Sequence, residues 1–472
     1  MHILLRNLGQ HRGAPRLYLD TPALADAGFR PGSGIAMSLA ADEHRLTIRT
    51  DAGSTRRVSR KQRGERELPV IDLNNRDLAP FAGGVVRIVI LAGVIHVLLP
   101  ASVAKAAARR ARLAAKLATG QPLATAGVAF GAGIASGAIH DGLAAGGVDA
   151  QLLLANEICE RYVELAAERN PVVRPGTVVA AVPMQELAQD DWLLRRLPPI
   201  DLLEAGIPCS GASKAGVSKR KLAQMEDHPM VGHLMGALLQ VVGALQPAIV
   251  VVENVESYRH TGSAAILRGW LRDAGYAIAE VVLDASDFGS LEARIRWFLV
   301  AHPPELRLDL EGLAPREPRR PQLAEVLDPI DPDDERWRHV HYLEAKQQRD
   351  AAKGNHFAMQ VLSPHSDSVP VLRKGYHKGG STDPRLVHPT DPSRSRLLTG
   401  MEHARIKGID TALVEGLPTT VAHEVCGQAV DVRPVRSIGE RIARAIRAWV
   451  AGTAETASVR RTNYLASVEA VG

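Results

Sequence analysis

The 472 residues are 46% apolar and 23% charged, enough to bury a full core, and three widely spaced cysteines (Cys159, Cys209, Cys426) exclude a disulfide framework and a CxxC zinc site. Arg6 interrupts the only apolar start and the longest apolar run, Ile88 to Ala104, is broken by Gly93, His96 and Pro100, so neither a signal peptide nor a membrane span is expected and the setting reads as cytoplasmic. Residues 1–120 hold 19 Lys and Arg against 9 Asp and Glu in a chain of net charge +5, so a basic front joined to a mildly acidic body suggests a polyanionic partner.

From Arg16, an extended Leu17-Tyr18-Leu19 precedes Thr21-Pro22, a helix-start signal, and alternating Ile35, Met37, Leu39 and Leu46, Ile48 predict a hairpin. The same grammar returns as Val70 to Leu73, Asn75 to Leu78, then Ile88, Ile90 and Ile95, Val97, with Phe81 matching Phe29 and Gly84 matching Gly32. A unit of about forty residues cannot bury enough surface alone, which gives a duplication its physical reason. Over Arg16 to Pro100 both copies resemble the AbrB-like swapped-hairpin units of bacterial transition-state regulators and antitoxin proteins. In that family two copies interlock into a small DNA-binding barrel, which implies a β-rich domain over residues 1–100. Arg56, Arg57, Arg60, Lys61, Arg63 and Arg66 between the copies could lie on phosphates, and Ser102 to Ala118 reads as a connecting helix within residues 101–120.

From Thr125 apolar runs of strand length alternate with helical segments. Strands are predicted at Gly127–Phe130, Gln151–Ala155, Thr177–Val182, Ile200–Leu203, Ile249–Val252, Ala277–Leu283 and Trp297–Ala301, with helices at Ile158–Glu168, Val231–Leu245 and Ala264–Asp273 between them. Such alternation predicts an α/β fold with a mostly parallel sheet covered on both faces, and ligands at the carboxyl ends of its strands. The first strand runs into Phe130-Gly131-Ala132-Gly133, and Glu157 follows the second, an order that suits a nucleoside, whether a mononucleotide or a dinucleotide cofactor.

Three further strand ends carry chemistry. Pro208-Cys209 lies among small residues that leave the thiol open, Ile249 to Val252 delivers Glu253-Asn254-Val255 to the same rim, and Arg294 and Arg296 stand two apart, hence on one face of an extended segment. Pro-Cys, Glu-Asn-Val and Arg-x-Arg, in that order behind Phe-x-Gly-x-Gly, resemble the DNA (cytosine-5) methyltransferases of bacteria and phages. The likeness continues through Arg396-Leu397-Leu398-Thr399, Glu402 and Ala404 to Gly408, similar to the family's ninth motif, and Gly427-Gln428-Ala429-Val430, similar to its tenth. It covers about Thr125 to Val450, apart from a divergent stretch near 303–390.

The resemblance implies a Rossmann-like, S-adenosylmethionine-dependent catalytic domain (121–302), a target recognition domain (303–392) and a C-terminal return (393–472). Cys209 would add to carbon 6 of a flipped-out cytosine, making carbon 5 nucleophilic, while Glu253, its proton held more tightly by burial near an aromatic ring, meets the charge at nitrogen 3. Arg294 and Arg296 would hold the pyrimidine oxygen, the carboxylate and a nearby phosphate. Phe130, Gly131, Gly133, Glu157, Pro208, Gln428 and Val430 would hold the donor, with no metal. Double-stranded DNA is the implied partner, and a cognate restriction endonuclease the implied companion. Three positions depart from the pattern: Ala181-Val182-Pro183-Met184 lacks the Asp expected near adenine, Glu292 stands for a Gln, and Gln428 for an Asn. A tRNA cytosine-5 methyltransferase and a DNA-binding regulator with an inactive body are the rival readings.

Overall fold

The computed structural model describes residues 1–40, 44–81, 84–208, 224–315, 319, 321–355 and 357–452. Its chain divides into two compact units, residues 1–107 and 108–472. No helix among the described residues is long and apolar enough to cross a membrane.

The first unit holds β1 (His2–Asn7), β2 (Gly9–His11), β3 (Ala14–Leu19), α1 (Ala23–Asp26), β4 (Ile35–Ala40), β5 (Arg45–Thr50), β6 (Ser59–Arg63), β7 (Arg66–Asn74), β8 (Val85–Leu91) and β9 (Val94–Leu98). Hairpin, short helix and hairpin occur twice, the second helix being a single-turn segment at Arg76–Phe81. Equivalent strands of the two copies pair antiparallel, β3 with β7 (Leu19 opposite Ile71) and β5 with β9 (Thr47 opposite His96). Antiparallel pairing of equivalent strands relates the copies by a local twofold axis. Both phenylalanines of the repeat, Phe29 and Phe81, join Leu17, Leu19, Ile71 and Leu73 in one shared core. The basic link expected between the copies is a strand pair, since Ser59–Arg63 is an exposed edge strand whose charges hide its extended conformation from a hydrophobic pattern.

Helix α2 (Ala101–Ala118), which crosses the boundary between the units, leads into β10 (Leu123–Val128), α3 (Ile134–Ala145), β11 (Ala150–Asn156), α4 (Glu160–Arg169), β12 (Val178–Ala180), α5 (Met184–Leu187), α6 (Asp191–Leu194) and β13 (Leu202–Gly206) of the second unit. There follow α7 (Leu234–Leu245), β14 (Ile249–Val255), α8 (Gly262–Asp273), β15 (Ala277–Asp284) and β16 (Ile295–His302). They form a seven-stranded sheet of order β12-β11-β10-β13-β14-β16-β15, in which the first five strands run parallel and β16 runs antiparallel to both its neighbours. This is the expected α/β sheet of the Rossmann-like methyltransferases. The first strand begins earlier than predicted because all six residues of Leu123–Val128 are buried, and Phe130 falls in the turn beyond it.

A small sheet of order β17-β20-β19-β18, built from β17 (Arg338–His339), β18 (Val361–Leu362), β19 (Arg385–Val387) and β20 (Arg394–Arg396), occupies the divergent stretch together with α9 (His341–Ala352). Its strands are too short to show periodicity, and β20 carries it past residue 392. The chain then returns through α10 (Gly400–Ile406), α11 (Thr419–Gln428) and α12 (Val432–Val450). Apolar clusters cover both sheet faces, with α7 and α8 on one and α3 and α12 on the other. A Cβ on Gly142 would lie 2.1 Å from the Arg436 carbonyl, so α3 and α12 cross at backbone distance.

Beneath the sheet, Asp201 is wholly buried at the amino end of β13, where its carboxylate takes Arg112 at 3.0 Å, Lys116 at 2.6 Å and the Ala124 amide at 2.9 Å. Removing one partner of such a buried pair leaves uncompensated charges. Replacing Asp201 with Ala is expected to cost about 3–5 kcal/mol in urea unfolding; a loss within 1 kcal/mol would contradict the role assigned to this cluster.

Candidate active site

The carboxyl ends of β10, β11, β13 and β14 share one rim. After β10 the chain turns sharply, with Ala129, Gly131 and Gly133 at φ 52, 58 and 76°. The Phe130 ring fills the space that two glycines vacate, for a Cβ on either Gly127 or Gly133 would fall 2.5 Å from it. Phe130 is therefore a buried packing residue that fixes the shape of the turn. Gly131 presents its amide to Glu157, whose Oε2 accepts at 2.8 Å while Oε1 accepts from the Cys159 amide at 3.0 Å. Each carboxylate oxygen keeps a second lone pair for a ligand hydroxyl. Ile158, the next residue, is 66% exposed beside this carboxylate, a placement that sequence reasoning missed.

At the C-terminal return, Gln428 is exposed at the end of α11, and a Cβ on Gly131 would stand 3.5 Å from its Nε2. The glycine turn and the tenth-motif residue are thus brought together from distant parts of the chain. Val430 is buried in the core beside α3 and α12, so it supports this region from below.

On the other side of the rim, Glu253 and Arg296 form an ion pair at 2.8 Å. The pairing follows from register: β16 starts where β14 ends, with Arg296 opposite Val255 and Phe298 opposite Glu253. Asn254, almost wholly buried, donates from Nδ2 to the Ile207 carbonyl at 3.0 Å and accepts the Val255 amide at 2.9 Å. The middle residue of Glu-Asn-Val thus anchors the segment entering Pro208, a role its sequence context did not reveal. Pro208 is half-buried there, and Gly206 lies beside the glycine turn, where a Cβ on it would stand in ordinary contact, 3.6 Å from the Ala129 carbonyl. Cys209 itself lies outside the described residues.

The two arginines do not share one face. Strand β16 begins at Ile295, so alternation does not extend to Arg294, which turns to the Glu292 carboxylate at 3.4 Å and to the Gly427 carbonyl at 3.4 Å. Arg296 is the arginine that reaches Glu253.

One buried carboxyl was not anticipated. Glu204, on β13 one strand position below Gly206 on the same face, accepts from the Ser136 hydroxyl at 2.7 Å. Burial, with a smaller contribution from the Glu253 charge and against the Ser136 hydrogen bond, pushes its pKa up to about 7. The rim therefore has one carboxyl paired with a cation and a second held toward its protonated form.

The model of the C-5 cytosine-specific DNA methylase family matches residues 140–444, well over half of the chain. The chain belongs to that family. The methyl donor of its members is S-adenosylmethionine. Among curated proteins this methylase is similar to the Type II methyltransferase M.NlaX of Neisseria lactamica, 26% identical over 259 residues, which span 53% of this chain and 79% of that protein. Similarity to the Type II methyltransferase M.DsaV of Dactylococcopsis salina is 25% over 253 residues, 52% of this chain and 69% of that protein. The fold is similar to the crystal structure of S. pombe Dnmt2 methyltransferase, with a TM-score of 0.51 at 16% identity, covering 67% of this chain and 96% of that one.

A carboxyl whose proton affinity rises on folding stabilises the protein below its ordinary pKa and loses that contribution as pH climbs through the folded value. For Glu204, raised from 4.5 to about 7, the window is pH 4.5 to 7. Relative to Glu204→Gln, the wild-type protein should lose about 3 kcal/mol of stability across that window, measured by urea titrations at several pH values. Parallel curves for the two proteins would show that Glu204 has an ordinary proton affinity.

Proposed function

We propose that the protein methylates carbon 5 of cytosine in duplex DNA through a covalent adduct on Cys209. The observation that carries this reading is the meeting at one rim of the Glu253–Arg296 pair, the Asn254 anchor of the Ile207–Pro208 segment and the Gly131–Gly133 turn.

Carbon 5 of cytosine is too electron-poor to take a methyl group directly. Addition of the Cys209 thiolate to carbon 6 pushes electrons into the ring toward nitrogen 3, and a proton that Glu253 takes up from water once Arg296 leaves it neutralises the charge there. Because Glu253 starts as a partner of Arg296, the extruded base competes for the same carboxylate, and Arg296 is then released toward the pyrimidine oxygen or a phosphate. Arg294 acts from behind, on the Gly427 carbonyl. S-adenosylmethionine supplies the activated methyl group; the carbon 5 proton then passes to water, its electrons re-form the double bond to carbon 6 as the Cys209 thiolate leaves, and nitrogen 3 returns its proton to Glu253.

For the donor, the Gly131 turn offers close backbone approach, Glu157 has acceptor capacity left for ribose hydroxyls, and Gln428 borders the turn. With no Asp in Ala181 to Met184, the exposed Ile158 is the group we assign to the adenine face. Sequence choice is assigned to residues 303–392, and the setting to the cytoplasm, beside a restriction endonuclease as the Type II names of the relatives suggest.

The front unit, read as AbrB-like, is assigned a second DNA contact. Residues 59–67 are exposed throughout, and Arg63 stands directly opposite Arg66 at the tip of the β6–β7 hairpin. Like charges in that position destabilise a strand pair, and a phosphate between them would relieve the repulsion.

Purified protein incubated with labelled S-adenosylmethionine should place label as 5-methylcytosine in duplex DNA and not in tRNA; label in tRNA alone would overturn the substrate assignment. Cys209→Ser should abolish transfer while keeping donor affinity, and a Ser variant of equal activity would remove the covalent step. In filter-binding titrations, changing Arg63 and Arg66 to Gln should lower the slope of log affinity against log salt by about 0.9 for each lost phosphate contact. An unchanged slope would take the DNA contact away from this hairpin.

A further inference from the structure

Behind Arg294 lies a sealed junction of charges where four separate segments meet. Glu292 and Lys407 are wholly buried and Arg294 nearly so. The Glu292 carboxylate accepts the Leu372 amide at 2.7 Å and Arg294 at 3.4 Å through Oε1, while Lys407 Nζ stands 3.6 Å from Oε2. Both cations then reach the end of α11: Lys407 donates to the Cys426 and Ala429 carbonyls at 2.7 and 3.3 Å, and Arg294 to that of Gly427. The helix end is itself seated on the Leu372 segment, for a Cβ on Gly427 would lie 2.4 Å from the backbone of both Arg373 and Lys374. Val369 completes the zipper by pairing with Leu291 and Ala293 on either side of Glu292.

We propose that Glu292 is a positioning residue that couples occupation of the 369–374 segment by DNA to the seating of the methyl donor at Gln428. The proposal rests on the reading of residues 303–392 as the DNA-reading stretch and of Gln428 as a donor contact. Its physical basis is that one carboxylate holds the backbone of the first segment and the two cations that hold the second. A shift of Leu372 therefore cannot leave the Gly427–Ala429 carbonyls unaffected, because in a sealed interior none of these groups has water as an alternative partner. Burial, with the Arg294 charge, lowers Lys407 to about 7, so the junction tolerates loss of the Glu292 charge by shedding a proton at neutral pH and above.

The test measures the affinity of the full chain for S-adenosylhomocysteine, a donor analogue with no methyl to transfer, with and without sheared unmethylated duplex DNA. Coupling is reciprocal, so DNA should tighten the analogue by roughly fivefold or more in the wild-type protein. Glu292→Ala should bring that ratio to within about twofold of one while changing affinity in the absence of DNA far less. Glu292→Gln, whose amide oxygen still accepts from Leu372, should recover most of the ratio. One readout needs no variant: the analogue alone should slow hydrogen exchange of the Leu372 amide in the wild-type protein. A wild-type ratio of one, a Glu292→Ala ratio equal to wild type, equal losses with and without DNA, or unaltered exchange at Leu372 would each overturn the proposal. If the wild-type protein meanwhile methylates duplex DNA, the reaction assignment stands; if it does not, both fall.

Discussion

Strand β16 runs against its neighbours, and the chemistry of the rim depends on that reversal. In a wholly parallel sheet the first residues of a strand lie at the edge opposite to the last residues of the one beside it. Here β16 opens where β14 closes, so Arg296, second in its strand, meets Glu253, fifth in the other, at the edge where α/β sheets hold ligands. The arginine comes from the rigid sheet and needs no loop to deliver it. The same register sets Phe298 opposite Glu253.

Fixed backbone on the other side of the rim has a different origin. No side chain caps α3, whose N-cap is Gly133 in a left-handed conformation. Its turn is shaped by what glycine lacks: the Phe130 ring occupies the positions that two Cβ atoms would need. Glu157 then closes the turn by accepting an amide from each side. A turn fixed in this way is preorganised, so a ligand bound against it orders little on arrival.

How much of this was legible in the sequence depends on whether a feature is local or arises from register. Buried strands with Val and Ile runs, such as Ile249–Val255, declare themselves, as does the duplicated hairpin unit with its paired Phe29 and Phe81. Leu123–Val128 does not, because its two Ala and its Gly give little β signal even where every residue is buried. The spacing of Arg294 and Arg296 suggested one shared face, but strand alternation holds only inside a strand, and β16 begins between them. Phe130 and Val430, which stand in motifs, are also buried members of the core, a property that depends on which way a side chain points. Asn254 and Glu204 were invisible for the converse reason. Their partners, Ile207 and Ser136, are brought to them only by the sheet and its covering helix.

The front unit poses the question of why its edge strand is so basic, since charged residues on an edge also serve simply to keep sheets from joining. Edge protection accounts for Arg60, which faces Glu67 at 3.9 Å, and for Lys61, held by Asp20 at 2.9 Å, because each carries its own counter-charge. It does not account for Arg63 facing Arg66. A protective charge works singly, and a second like charge directly across the pair weakens the hairpin without further blocking its edge. Glu65 in the turn between them supplies one negative charge, and on the reading proposed above an external phosphate supplies the other. The equivalent hairpin β2–β3 carries Arg12 in its own turn, where β6–β7 has Gly64 and Glu65 between its two arginines. Under the DNA contact proposed for this unit, each hairpin offers arginine to a phosphate, at the turn in one copy and beside it in the other.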